Sequence, residues 1–237
     1  MTSLFREDAY MREAPATAVA VTEQGVILDQ ALFYPTGGGQ PNDTGALVWD
    51  GGSCTITDAR KGGGDQVVLI AQDADALPEL GTQVTQVLDW DRRHAHMRVH
   101  TALHLLSVVI PLGVTGGQIG AQKGRLDFDM AEPPEDKAAL EDALNALIAR
   151  DLQITEQWIT DAELEANPGL VKTMSVQPPK GAGRVRLVRI GDAHEQVDLQ
   201  PCGGTHVART SEIGRIRIGK IENKGRNNRR VNLHLDG

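Results

Sequence analysis

The chain reads as an α+β protein, with a small β-barrel over residues 1–89 and a second domain over residues 90–237 in which helices and strands mix. Three observations lead there. The first ninety residues carry short alternating or apolar runs separated by glycine, aspartate and proline, the mark of many short strands. Apolar residues at helical spacing first appear beyond Asp89, and alternating stretches return toward the carboxyl end. Many short strands in so few residues fit a small barrel, and 237 residues suffice for two domains that each bury a core.

The strands of the first domain are expected at Ala18–Thr22, Gly25–Asp29, Gly45–Trp49, Gln66–Ile70 and Gln83–Leu88, with a loop at Asp73–Pro78. Asp91 is the expected cap of a helix running to about Val109, with Val99, Leu103, Leu106 and Ile110 on its buried side. Gly113 to Gly117 should break it. Gly124–Asp129 reads as a strand, and the Pro133–Lys137 stretch opens a second helix whose Leu140, Leu144, Leu147 and Ile148 recur at helical spacing. A strand at Gln153–Ile159, a short helix at Asp161–Ala166 and a stop at Asn167–Gly169 follow, then a glycine-rich loop at Pro178–Gly183. Arg184–Ile190 alternates cation with aliphatic residue, as a strand does with one wet face and one buried. The last strands are expected at Gly214–Lys220 and Arg229–Leu235.

Forty per cent hydrophobic residues with 24% charged describe a folded globular chain and exclude a disordered one. No apolar run reaches the roughly 18 residues of a membrane span. The opening Met-Thr-Ser-Leu-Phe-Arg-Glu-Asp lacks the basic end and apolar stretch of a secretory signal, so a cytoplasmic location is expected. Cys54 and Cys202, the two cysteines, cannot make a disulfide framework.

The chemistry concentrates in His100-Thr-Ala-Leu-His104 and Cys202-Gly-Gly-Thr-His206. A helix puts residues i and i+4 on one face roughly 6 Å apart, so two imidazoles at that spacing reach a common ion and a distant pair can close the site. Each pair alone is a weak signal; together they read as one metal site. Imidazoles with a thiolate favour zinc over magnesium or calcium, which prefer oxygen. The bland alternative is a closed structural site with no position for chemistry.

A net charge of −8 argues against generic nucleic-acid binding, but the distribution is uneven. Arg215, Arg217, Lys220, Lys224, Arg226, Arg229 and Arg230 face a single acid, Glu222, in one short stretch. That strip is either a solvated basic edge or a phosphate-contacting surface. Further cations gather at Arg92, Arg93 and Arg98 before the first histidine pair, and at Lys180, Arg184, Arg186 and Arg189 before the cysteine.

Phe33-Tyr-Pro-Thr-Gly-Gly-Gly-Gln-Pro41, His100-Thr-Ala-Leu-His-Leu-Leu106 and Cys202-Gly-Gly-Thr-His-Val207 resemble the three signatures of alanyl-tRNA editing modules, found in alanyl-tRNA synthetase and in freestanding AlaX proteins. Gln118-Ile-Gly120, Arg125-Leu-Asp-Phe128 and Lys220-Ile-Glu-Asn-Lys-Gly225 fall in the same order. The resemblance therefore covers nearly the whole chain from about residue 15. Threonyl-tRNA synthetase has a related editing domain, but the amino-terminal glycine-rich string favours the alanyl branch, in particular its medium-length form with a barrel ahead of the editing domain.

That resemblance implies an α/β-sandwich editing domain with an antiparallel sheet, and an enzyme that deacylates mischarged tRNA(Ala) in trans, chiefly seryl- and also glycyl-tRNA(Ala). It implies Zn2+ held by His100, His104, Cys202 and His206, there to fix the aminoacylated terminal adenosine, polarise the ester carbonyl or activate water; the sequence does not choose among these. A pocket for alanine cannot strongly exclude glycine or one added hydroxyl, so a second site must select for what the first admits. Thr36 is the candidate reader of the serine hydroxyl, since a hydrogen-bonding partner left unpaired by alanine discriminates strongly. Gln40, Gln118 and Asp127 are candidates to orient water or substrate, and no residue stands out as a general base. The glycines at 37, 38 and 39 would let backbone approach the ligand, and Gly203 and Gly204 allow a tight turn. The basic strip is the expected tRNA contact. A zinc-stabilised tRNA-binding module without turnover, or a zinc hydrolase of small molecules, are the alternative readings; oligomeric state is left open.

Overall fold

The computed structural model of the chain describes residues 2–174, 183–192 and 194–236, so residues 178–182 of the expected glycine-rich loop, Lys180 among them, lie outside the described part. Two compact units emerge, Met1–Ala95 and His96–Gly237.

In the first unit, β2 (Glu13–Thr22), β3 (Gly25–Leu28), β5 (Gly45–Trp49), β6 (Gly52–Lys61), β7 (Val67–Ala71) and β8 (Gln83–Leu88) close into an antiparallel barrel in the order β2-β3-β7-β6-β5-β8. The short strands β1 (Thr2–Ser3) and β4 (Gln30–Ala31) pair in parallel beside helix α1 (Leu4–Glu7). Six strands enclose a narrow interior, and small side chains on β2 fit it: Ala14, Ala16 and Ala18 alternate inward against Val26, Leu28, Leu47, Ile56 and Leu69. Strand β6 is not foreseen from the sequence. Its inward period runs Cys54, Ile56 and then Ala59, because a bulge between Ile56 and Asp58 shifts the register by one residue.

Helix α2 (Trp90–Val109) opens the second half of the chain. Its cap is Asp89, whose carboxylate accepts from the Arg92 backbone N–H at 3.1 Å, so the expected cap Asp91 lies inside the first turn, exposed. Val99, Leu103, Leu106 and Ile110 are buried as expected, each removing apolar surface worth about 1.5–3 kcal/mol. The helix lies close on strand β10 (Lys123–Asp129) at Gly124, where a Cβ would stand 2.6 Å from the Val99 methyl Cγ1. Any larger residue there would push the helix off the sheet beside its first histidine.

Strand β10 belongs to a four-stranded antiparallel sheet, β14-β15-β10-β9, with β9 at Val114–Ile119, β14 at Ile216–Gly225 and β15 at Asn228–Leu235. Gly116 and Gly117, expected to end the helix as loop, sit inside β9; a Cβ on Gly117 would come within 3.0 Å of the Leu126 side chain, which would have to shift to admit it. Helix α3 (Lys137–Ala149) is capped by Asp136 and buries Leu140, Leu144 and Ile148. Its Asn145 both donates to and accepts from the Ile216 backbone, fixing α3 on β14. A second, three-stranded antiparallel sheet joins β11 (Ile154–Thr160), β12 (Arg184–Gly191) and β13 (Gln196–Pro201), and α4 (Asp161–Ala166) follows β11 with a Thr160/Glu163 capping box. The chain is thus mixed α+β, with a closed barrel and further antiparallel sheets.

The expected wet face of β12 is largely absent, since Val188 and Ile190, on the same face as Arg186, are buried like Val185 and Leu187 on the other. Arg186 is buried instead of wet, because its charge is matched by Glu156 on the neighbouring strand β11. Among the described residues, no helix is long and apolar enough to cross a membrane.

Candidate metal centre

Two elements of the second unit build the site. Helix α2 presents His100 and His104 one turn apart, and the turn after β13 brings Cys202 and His206 to them. One donor atom from each of the four lies within 4.8 Å of all the others. Cys202 Sγ is 3.4 Å from His100 Nε2 and 3.3 Å from His206 Nε2. A tetrahedral ion bound at about 2.0–2.3 Å holds its ligand atoms roughly 3.3–3.8 Å apart, so these separations fit a single ion. The three imidazole centroids stand 4.2, 4.5 and 5.2 Å from one another.

The electrostatics prepare two of the donors, Cys202 and His206, for that task, whereas His104 would have to give up a proton to a metal. Burial opposes a charge on Cys202, but the adjoining His100 and His206 hold its thiol well below the usual range, in the thiolate form a metal requires. Burial, reinforced by His100, keeps His206 well below the usual imidazole value and so neutral, with a lone pair free. Burial also opposes charge on His104; the hydrogen bonds to Asp198 and Cys202 outweigh it and push its pKa up to about 9. Asp198, also buried, is brought down to about 2 by His104 and Lys172. The cluster can therefore hold one metal ion.

Around the four donors stands a ring of residues of which the sequence singles out Arg186 alone, and that only as one of several cations. His104 Nδ1 lies 3.0 Å from Asp198 Oδ2, and Lys172 Nζ lies 2.6 Å from Asp198 Oδ1. Gln200 donates to Asp198 Oδ2 at 2.7 Å, and Thr101 Oγ1 is 3.1 Å from His206 Nδ1. Arg186 Nη1 donates to the carbonyls of Cys202 and Gly204 at 2.8 and 2.9 Å, pinning the turn that carries the thiolate. Asp198 and Gln200 escape notice because β13 runs inside out: its buried face carries these two polar residues, while Val197 and Leu199 are half-buried.

The other candidate residues fall in three places. Thr36 and Gln40 belong to the barrel unit. Thr36 is exposed, and its hydroxyl donates to Asn42 Oδ1 at 3.3 Å; Gln40 is buried. Gly38 and Gly39 have φ of 58° and 83°, and Gly37 and Gln40 exchange backbone hydrogen bonds across them. Two successive positive φ values make a two-residue hairpin turn that favours glycine, which is the structural reason for the string. Asp43 and Arg93 anchor the same loop as a fully buried ion pair, Nε to Oδ2 at 2.9 Å, with Asp43 also accepting from the Tyr34 N–H.

Gln118, Asp127 and Arg230 come together on one face of the four-stranded sheet. Arg125 bridges Gln118 and Asp127, and Arg230 grips the same carboxylate at 2.8 and 2.9 Å. Although partial burial opposes it, the two guanidinium groups hold Asp127 below the usual carboxylate range. In the basic strip, Arg215, Arg217, Lys220, Lys224 and Arg226 are exposed. Arg229 leaves the strip: it is buried, with its guanidinium donating to Asn223 and to the Gly225 and Ala131 carbonyls, so its donors are turned inward and not toward a phosphate.

Residues 185–232 match the family described as the threonyl and alanyl tRNA synthetase second additional domain, and residues 5–92 match the class II (A) tRNA synthetases. Both halves of the chain thus place it in the class of tRNA synthetase-related modules. An alanyl-tRNA editing protein AlaX-M of Methanosarcina mazei is 36% identical over 98% of this chain and 96% of its own, and that of Methanosarcina barkeri is 37% identical over 98% of both. An alanine–tRNA ligase of Pyrobaculum calidifontis is 39% identical over 92% of this chain, which spans a quarter of the ligase. The chain belongs to the AlaX-M family of alanyl-tRNA editing proteins.

Proposed function

We propose that this protein is a zinc-dependent aminoacyl-tRNA deacylase that clears mischarged tRNA(Ala), chiefly seryl- and also glycyl-tRNA(Ala), acting in trans in the cytoplasm. The carrying observation is the convergence of His100, His104, Cys202 and His206 within one ion's reach, in a chain of the alanyl-tRNA editing family. Three imidazoles and a thiolate are a donor set for zinc. When bound there, zinc supplies Lewis acidity toward an ester oxygen or a water and a fixed point for the terminal adenosine.

The chain's own residues supply the rest. The reaction adds water across the ester between the amino acid carboxyl and the terminal ribose hydroxyl, releasing free amino acid and uncharged tRNA. Thr36, exposed on its loop, reads the serine hydroxyl, while glycine enters by lacking a side chain. Gln118 and Asp127, locked by Arg125 and Arg230, offer a rigid polar face for orientation instead of a proton acceptor, since Asp127 is a paired carboxylate. Arg215, Arg217, Lys220, Lys224 and Arg226 contact phosphates, with Arg230 at the edge of that surface.

Incubation of the protein with seryl-tRNA(Ala), glycyl-tRNA(Ala) and alanyl-tRNA(Ala), following ester loss, tests the reading. Seryl ester is expected to fall fastest and alanyl ester to persist. A protein that shields all three esters is a zinc-stabilised binding module and not an enzyme.

A further inference from the structure

We infer that Asp198 and Thr101 are positioning residues that fix the tautomers of His104 and His206, so that both imidazoles present Nε2 to the metal. The inference rests on the metal reading above and adds to it two residues outside the ligand set.

Proton accounting carries the argument. A neutral imidazole has one N–H and one lone pair, and only the lone-pair nitrogen can bind a metal. Thr101 is fully buried on α2, and its hydroxyl donates to the Met97 carbonyl at 2.9 Å. Its one proton is therefore committed, and Oγ1 can only accept from what else surrounds it. Two groups do: the Val207 N–H at 3.3 Å and His206 Nδ1 at 3.1 Å. Nδ1 of His206 must then carry the hydrogen, which leaves the lone pair on Nε2, the atom facing Cys202.

Asp198 settles His104 in the same way by a stronger means. It is 2% exposed, and an ionised carboxylate accepts without donating. Its Oδ1 is held by Lys172 and its Oδ2 by Gln200 Nε2, so the oxygen facing His104 Nδ1 at 3.0 Å requires a hydrogen there. The 3.1 Å between Gln200 Nε2 and His104 Nδ1 is then two donors converging on one oxygen. Reversing the His104 tautomer would set a ring lone pair against a carboxylate lone pair in a buried site, and reversing that of His206 would oblige the Thr101 hydroxyl to give up the Met97 carbonyl. The two histidines also differ in what faces Nδ1, a carboxylate at His104 and a neutral hydroxyl at His206.

A purely structural role would make Asp198–Lys172 a buried ion pair and Thr101 a helix back-bond, with no effect on the metal beyond general loosening. The test uses the full chain, stripped by chelator, with Zn2+ affinity read by competition against a chromophoric chelator and site geometry by the visible spectrum of the Co2+ form. T101V and D198N are expected to weaken Zn2+ binding about 10- to 100-fold each and to alter the Co2+ bands. T101S, which keeps the hydroxyl, is expected to retain wild-type affinity and spectrum. Equal effects of T101V and T101S, or wild-type affinity in both T101V and D198N, would overturn the inference. Should D198N fail to fold, the T101V and T101S pair decides alone. A wild-type chain that binds neither ion removes the metal reading and this inference together, whereas a metal-binding wild type with unaffected variants removes this inference only.

Discussion

Replacing Arg186 by methionine tests how the thiolate turn is held. Arg186 is 5% exposed and makes a forked ion pair with Glu156, while Nη1 donates to the Cys202 and Gly204 carbonyls. Methionine fills much of the volume and removes every donor. Each hydrogen bond from a charged group contributes about 1.5–3 kcal/mol, so the two carbonyl bonds set the scale at roughly 3–6 kcal/mol. The Glu156 side chain is 34% exposed and recovers water when its partner goes, so it adds little as an uncompensated charge. A loss of about 3 kcal/mol is expected in urea unfolding followed by circular dichroism. Zinc affinity should fall as well, since Cys202 sits on the released turn. A loss below about 1 kcal/mol with unchanged zinc affinity would show that the turn holds its shape without Arg186.

Gly38→Ala places a side chain at a φ of 58°, and should cost about 1–2 kcal/mol in thermal or urea unfolding through the hairpin turn alone. Thr36→Val removes an exposed hydroxyl that pairs with Asn42, so stability should hardly change; deacylation of seryl-tRNA should fall more than that of glycyl-tRNA, and equal losses would take away its reading role. Reversing charge at Arg215 and Arg217 should weaken tRNA binding for every charged form and flatten its salt dependence, by a slope of about 0.7–0.9 for each phosphate no longer neutralised. Arg229→Met should instead lower stability and leave tRNA affinity near wild type, because the guanidinium is used inside the protein.

What the sequence disclosed follows from how local each signal is. Alternation in Gly45–Trp49 and Gln83–Leu88 gives strands with those bounds, and the helix-spaced leucines of α3 give its buried face. The bulge in β6 breaks its period, and glycine in β9 reads as punctuation although it lies inside the strand. The histidine and cysteine pairs are visible because metal ligands recur at fixed short spacings. Their supports are not: Arg93 meets Asp43 fifty residues away, Arg186 meets Glu156 thirty away, and Asp198 meets His104 across ninety-four. A cation or a carboxylate in a strand is read as wet until its distant partner is known. The same holds for Arg229, which charge alone assigns to the surface.

In the proposed function, four donors hold one zinc ion on which deacylation depends. Its most direct test is ester loss from seryl-tRNA(Ala) by protein stripped of metal, with elemental analysis confirming the stripping, and then by the same protein given one equivalent of Zn2+. Activity should vanish and return with the ion, and Cys202→Ala should neither retain the metal nor recover. Full deacylation by verified metal-free protein would show that the reaction needs no ion at this site.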